Sequence, residues 1–294
     1  MVRSFQIFLV FTIVCVAATI AVGQVSSSGM YEFTSVSIGH DASNGWQSLL
    51  NPAVGYSFDR NFAVESGVPF YVVTTTNSTT TSGTTTSGTR SNVLGDAFIR
   101  MRAAKASETF NYSGALTATA PTGDTSAGVS TGRATVTFEN HLDRSFGRIT
   151  PFGEASIGNS LGSSKHYQRS YTTLGAASEF RGGIGLDLLK NVSFETSFYG
   201  DVGYGNQKVY SRQVGKGATG AAKSSHGRPF ETSYLTTGDA SVIDDHGLTA
   251  DLSFSPAPRY GVDLAYNRSI PYGLDSVAVT VGVRLGHLNN TAKK

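Results

Sequence analysis

Charged side chains recur at alternate positions of segments that are otherwise apolar. On that phase Glu65, Asp96, Arg100, Arg102, Glu139, Glu154, Glu179, Arg181, Glu195, Asp201, Asp251, Asp263 and Arg284 all fall on one polar face. Acids and bases set opposite one another inside a closed wall create a transverse field that screens solutes by charge. The same residues could instead form a structural ion-pair network that fills a narrow barrel, and the sequence leaves both readings open. Covalent, redox or metal chemistry finds little support. His40, His141, His166, His226, His246 and His287 are scattered, with no H-E-x-x-H and no cysteine partners. Serine is abundant but no G-x-S-x-G occurs. Gly215, Gly217 and Gly220 have dinucleotide-site spacing but lack the strand before and the helix after that such a site needs. We therefore expect no catalytic residue, no cofactor, no metal site and no enzymatic activity.

Composition bounds the class. Charged residues make up 15% of the 294 residues, against about 25% in ordinary soluble domains. Glycine is high at 34 and proline low at 8. A net charge of +2 gives no electrostatic case for nucleic acid. Residues 7–22 form an apolar run after Arg3, and Ala21-Val22-Gly23 offers small residues at a peptidase exit. This predicts a signal peptide over 1–23, removed before Gln24, and a mature domain over 24–294. An uncleaved anchor helix is the alternative. The only cysteine, Cys15, leaves with the signal, which excludes a disulfide scaffold or a thiol enzyme. No later apolar run approaches the roughly 20 residues of a spanning helix. A mature chain that crosses a membrane must therefore do so as a closed sheet, the other arrangement that satisfies every backbone group without water.

Period-two alternation is the dominant pattern. Val277, Val279, Val281, Val283 and Leu285 share one face, and Ala278, Thr280, Gly282, Arg284 and Gly286 the other. Leu248, Ala250, Leu252 and Phe254 likewise oppose Thr249, Asp251 and Ser253, and Phe194 and Phe198 oppose Glu195, Ser197 and Asp201. A lipid-facing Arg or Lys costs about 2–4 kcal/mol at mid-bilayer, so the segregation of charge to one face is what a membrane wall would select. We read strands at 31–39, 51–59, 62–75, 93–103, 109–120, 133–142, 149–157, 174–189, 192–204, 248–256, 259–268 and 275–287. That makes about twelve, and an even number fits a closed antiparallel up-and-down transmembrane barrel.

Connections alternate short and long. Asp59-Arg60-Asn61, Lys105-Ala106-Ser107, Asp143-Arg144-Ser145, Lys190-Asn191 and Ser255-Pro256-Ala257-Pro258 are the short ones, expected on the periplasmic side. Phe58 and Phe62 bracket the first and Phe254 and Tyr260 the last, as an interfacial aromatic girdle would. Residues 74–90, rich in Thr, Ser and Gly, predict a mobile loop. Residues 205–247 predict a disordered excursion, with the alternative that Phe230, Tyr234 and Leu235 fold back as a small hairpin or constricting loop.

The segment Gly55-Tyr56-Ser57-Phe58-Asp59-Arg60-Asn61-Phe62-Ala63-Val64-Glu65 resembles the strand–turn–strand units of small outer-membrane barrels. Ala118-Thr119-Ala120-Pro121-Thr122-Gly123-Asp124 resembles the strand-end P-T-G-D of outer-membrane transporters of the phenol meta-pathway type. The resemblance implies a bacterial outer-membrane location, a porin-like passive channel for small solutes, and contacts with outer-membrane lipid and the barrel-assembly machinery. Such barrels usually end their last strand in an aromatic residue, whereas here Gly286-His287-Leu288 occupies that place. Two rivals remain: a barrel with a closed lumen whose loops bind partners, and an exported soluble β-sandwich, which would bury its apolar face against a second sheet.

Overall fold

The computed structural model describes residues 28–41, 45–75, 89–161, 169–215 and 228–286. The expected signal peptide, most of the 74–90 tract and the residues after Gly286 lie outside the described residues. Fifteen strands follow one another: β1 (Gly29–Asp41), β2 (Gly45–Ser57), β3 (Phe62–Gly67), β4 (Phe70–Thr75), β5 (Thr89–Leu94), β6 (Ala97–Ala106), β7 (Asn111–Ala120), β8 (Thr135–Asp143), β9 (Ile149–Gly158), β10 (Tyr171–Leu189), β11 (Val192–Ser211), β12 (Leu235–Gly238), β13 (Asp245–Ala257), β14 (Tyr260–Ser269) and β15 (Leu274–Gly286). Short 3-10 turns lie at Thr125–Ala127, Pro229–Glu231 and Ala240–Val242.

Twelve of these strands close a wall. The order runs β1-β2-β3-β6-β7-β8-β9-β10-β11-β13-β14-β15, and β15 pairs back onto β1 over Tyr31↔Gly286 to Asp41↔Ser276. Every neighbouring pair is antiparallel. Closure leaves no edge among these strands, so the ladder itself satisfies the backbone.

Register fixes which side chains share a face. Val279 pairs with Ile38 on one side and Leu264 on the other, and Leu264 pairs onward with Leu252. All four are exposed, at 41–50% for Leu252, Ile38, Val279 and Leu264. One step along each strand, Thr280 pairs with Asp263, Asp263 with Ser253, and Glu195 with Asp251. Asp251 is fully buried. Apolar outside and polar inside is the reverse of a soluble core, and it excludes the β-sandwich reading. Exposed Phe58, Phe62, Phe110, Phe146, Phe254 and Tyr260 crowd the short-turn end, where Phe58 meets Tyr56 edge-to-face at 5.0 Å and lies tilted against Phe62 at 5.3 Å. That is an aromatic girdle at one rim of the apolar band. The molecule is an outer-membrane-type barrel.

Three elements depart from expectation. β2 starts at Gly45, not near residue 51, because Trp46 to Leu50 continue the ladder with β1, from His40↔Trp46 to Val36↔Leu50. The expected single strand over 62–75 breaks at Val68-Pro69, and its neighbour breaks at Gly95-Asp96. Proline has no N–H to give the ladder, and the Gly95 N–H bonds Pro69 O at 2.7 Å. The described parts of the 205–247 stretch, residues 205–215 and 228–247, are more ordered than their composition predicts. β11 continues to Ser211, β12 pairs with it over Gln207–Tyr210, and residues 228–244 fold back over the mouth.

The P-T-G-D segment repairs the double break. Ala97 N–H donates to Thr122 Oγ1 at 2.8 Å, the Thr122 hydroxyl donates to Gly95 O at 3.3 Å, and Gly123 N–H donates to Asp96 Oδ1 at 3.0 Å. A Cβ on Gly123 would lie 2.7 Å from the Gly95 carbonyl carbon, so only glycine lets the two backbones meet. Thr122→Val keeps the shape and removes both bonds. It should lower stability by about 1 kcal/mol, whereas Thr122→Ser should cost less. Urea unfolding of the two variants in lipid vesicles checks this; equal stabilities would remove the hydroxyl from the account.

Candidate functional site

The inner face carries its charges at two levels. Near the short-turn end, Glu65 on β3 is directly opposite Arg100 on β6. Arg100 and Arg102 approach it at 3.7 and 3.6 Å, and Tyr31 donates its hydroxyl to Glu65 Oε2 at 3.0 Å. Tyr31 reaches across β2 because Gly55 stands between them; a Cβ there would sit 2.4 Å from the tyrosine ring. Arg284 lies 4.2 Å over the Tyr31 ring. Arg100 also approaches Glu139 at 3.8 Å and donates through Nε to Thr117 Oγ1 at 2.8 Å. On the adjacent strands β9, β10 and β11, Arg181 pairs with Glu154 at 2.6 Å and lies 3.7 Å from Glu195. His141 is held between Glu154 at 2.8 Å and Asp143 at 3.2 Å, and stacks on Phe152. The Arg102 and Glu139 side chains remain 49% and 46% exposed, so water reaches this level of the inner face.

The outer level is packed. Glu179, Asp201 and Asp245 stand directly opposite one another on β10, β11 and β13. Three carboxylates in one row repel, and two arginines from the connections are laid across them. Arg169 donates to Asp201 Oδ2 at 2.7 Å and to Glu179 Oε2 at 3.0 Å. Arg228 donates to Asp245 Oδ2 and, at 2.7 Å, to the Tyr171 hydroxyl. Asp245 also accepts from Ser269 at 2.6 Å and from Tyr199 at 3.1 Å. Asp201, Asp245, Arg169 and Arg228 are all buried.

Around this row the connections build a cap. Leu161, Tyr171, Ala177, Val209, Phe230 and Ile243 form one buried cluster, and Val73, Ala127 and Val129 another. Arg212 ties the two together: it donates to Arg169 O and lies 4.7 Å over the Tyr71 ring. Tyr234 donates to Thr125 O, joining the returning 228–244 segment to the turn after β7. Tyr272, on the turn before β15, donates to Asp244 O at 3.3 Å, and burial holds its phenol above the ordinary value.

Arg100, Arg102, Glu139, Glu179, Arg181, Glu195 and Asp201 thus fall into ion-pair networks. Asp263 instead accepts a hydrogen bond from Ser253 at 2.5 Å, Asp251 is buried in the wall, and Arg284 stacks on Tyr31. Asp96 sits in the wall break and caps Gly123, apart from the networks. Sequence reasoning missed Arg169, Arg228, Asp245 and Asp143. Asp143 was assigned to a turn, and Asp245 was legible as an outward extension of the phase of Asp251. The two arginines lie in connections without periodicity, and nothing in their spacing marks them.

No family model matches the chain, and no curated protein matches it. Among solved structures it is similar to the KdgM porin in complex with disordered oligogalacturonate, at 9% identity over 85% of this chain and 98% of that one, with a TM-score of 0.46. It is also similar to an outer membrane channel from Pseudomonas putida F1, at 7% identity over 90% and 97%, TM-score 0.48. A third is the NanC porin, at 6% identity over 85% and 98%, TM-score 0.45.

Proposed function

We propose that this barrel is a non-enzymatic, porin-like passive channel for small solutes, exported by a cleaved signal peptide over 1–23 and seated in outer-membrane lipid by the barrel-assembly machinery. The observation that carries the reading is the water-accessible, ionised inner face behind an apolar outer wall. Ion pairs sealed in a dry lumen would be buried, whereas Glu139 and Arg102 keep 46% and 49% of their side chains exposed. Glu139, Glu154, Glu195, Arg100 and Arg102, with side chains 31–49% exposed, are the residues that would meet a solute. Three carboxylates against two arginines should make the channel prefer cations. Single-channel recording of the purified protein in planar bilayers is the test, and a complete absence of current steps in wild type and in cap variants would end the channel reading.

A second reading is a barrel with a closed lumen whose loops engage partners. The packed outer cap favours it, and conductance separates the two.

Arg100 and Arg102 supply a selectivity prediction. Replacing both with Gln should shift the reversal potential in a salt gradient further towards cations, since Glu65 and Glu139 lose their counter-charges. An unchanged reversal potential would take both arginines out of the path.

A further inference from the structure

The Arg228 guanidinium lies 5.3 Å from the Tyr171 ring, 5.0 Å from the Tyr272 ring and 5.6 Å from the Phe230 ring, against the Asp245 carboxylate. A carboxylate ringed by aromatic faces is the arrangement that recognises organic cations. Here the cage is filled by the chain's own side chain. Its fixed walls belong to three different parts of the barrel: Tyr171 opens β10, Asp245 opens β13, and Tyr272 lies on the turn between β14 and β15. Arg228 and Phe230 alone arrive on the returning segment. Asp245 is braced from behind by Ser269 and Tyr199, so the anion stays in place whether or not Arg228 does. Tyr272 is half-buried and is the most exposed wall of the cage, since Tyr171, Phe230 and Asp245 are buried.

We infer that Asp245, Tyr171 and Tyr272 form a binding site for a small organic cation bearing a guanidinium or amine, and that Arg228 is a tethered ligand occupying it and holding the outer cap down. The neighbouring carboxylates Glu179 and Asp201 draw cations towards the same rim. Arg169, which also donates to the Tyr171 hydroxyl at 3.0 Å, already spans those two and leaves Asp245 to Arg228. The site does not depend on whether the barrel conducts.

The test uses the full mature chain, folded in detergent, with methylguanidinium as probe and KCl at equal ionic strength as control. In wild type, saturating probe should raise amide exchange across residues 228–243, because the displaced segment loses its anchor. Unchanged exchange would overturn the inference. R228A should be thermally stabilised by the probe at concentrations at least roughly tenfold below those needed by wild type, since the tethered competitor is gone; R228A/D245N should not respond. Equal responses of R228A and R228A/D245N would overturn it as well. R228Q serves in place of R228A should the alanine variant fail to fold. A barrel that binds the probe yet passes no current, in wild type and in cap variants alike, refutes the channel reading and leaves the cage standing; current with unchanged exchange does the reverse.

Discussion

Arg169→Ala should destabilise the barrel by about 3–5 kcal/mol, the range for removing one partner of a buried ion pair. Asp201 and Glu179 are directly opposite on adjacent strands. Arg169 is 3% exposed and Asp201 fully buried. Without the guanidinium the two carboxylates face each other with no counter-ion and little water. The cost should fall when the acids are removed too, because a buried pair stabilises far less than a buried orphan destabilises. The triple variant Arg169→Ala/Asp201→Asn/Glu179→Gln is therefore expected to be more stable than Arg169→Ala alone. Arg169→Lys should fall between, since an ammonium cannot span both carboxylates as a planar fork does. Urea unfolding in lipid vesicles, followed by the gel shift between folded and unfolded forms, reads all three. An Arg169→Ala barrel within about 0.5 kcal/mol of wild type would mean the row is solvated and the cap loose.

The contrast between wall and cap explains what could be read in advance. β15 and β13 were legible to within a few residues at each end because one physical demand, apolar towards lipid and polar inwards, acts on every residue of a spanning strand. Glu65, Arg100, Glu139, Arg181 and Glu195 inherit their place from that phase, and the structure brings them within ion-pair distance of partners. The cap obeys no such repeat. Arg169, Arg228 and Phe230 are placed by contacts with strands far away in sequence, and their own neighbours are Ser, Gly and Lys, a composition that reads as a solvated loop. The same holds for the break at Pro69 and Gly95. Both residues were visible, but that they lie side by side and are bridged by Thr122 depends on register, which the alternation alone does not set.

The membrane assignment rests on the two faces of a single strand, and β7 allows it to be tested on adjacent residues. Leu116 points outwards, paired with Met101 and Phe138, all three exposed. Ala115 points inwards, paired with Arg102 and Glu139. Leu116→Arg should cost about 2–4 kcal/mol in a bilayer, because a guanidinium at the middle of a spanning strand must be drawn out of hydrocarbon. Ala115→Arg adds the same side chain one residue earlier, on a face that already holds charge and next to the half-exposed Glu139. It should change stability by less than about 1 kcal/mol. Reversible unfolding in vesicles of fixed thickness gives both values under one condition. The difference matters more than either number, since intrinsic strand propensity and folding yield act on both variants alike. Were Leu116→Arg as benign as Ala115→Arg, the apolar band would not be facing lipid, and the exposed Val, Leu and Phe of the outer wall would need a protein partner to cover them.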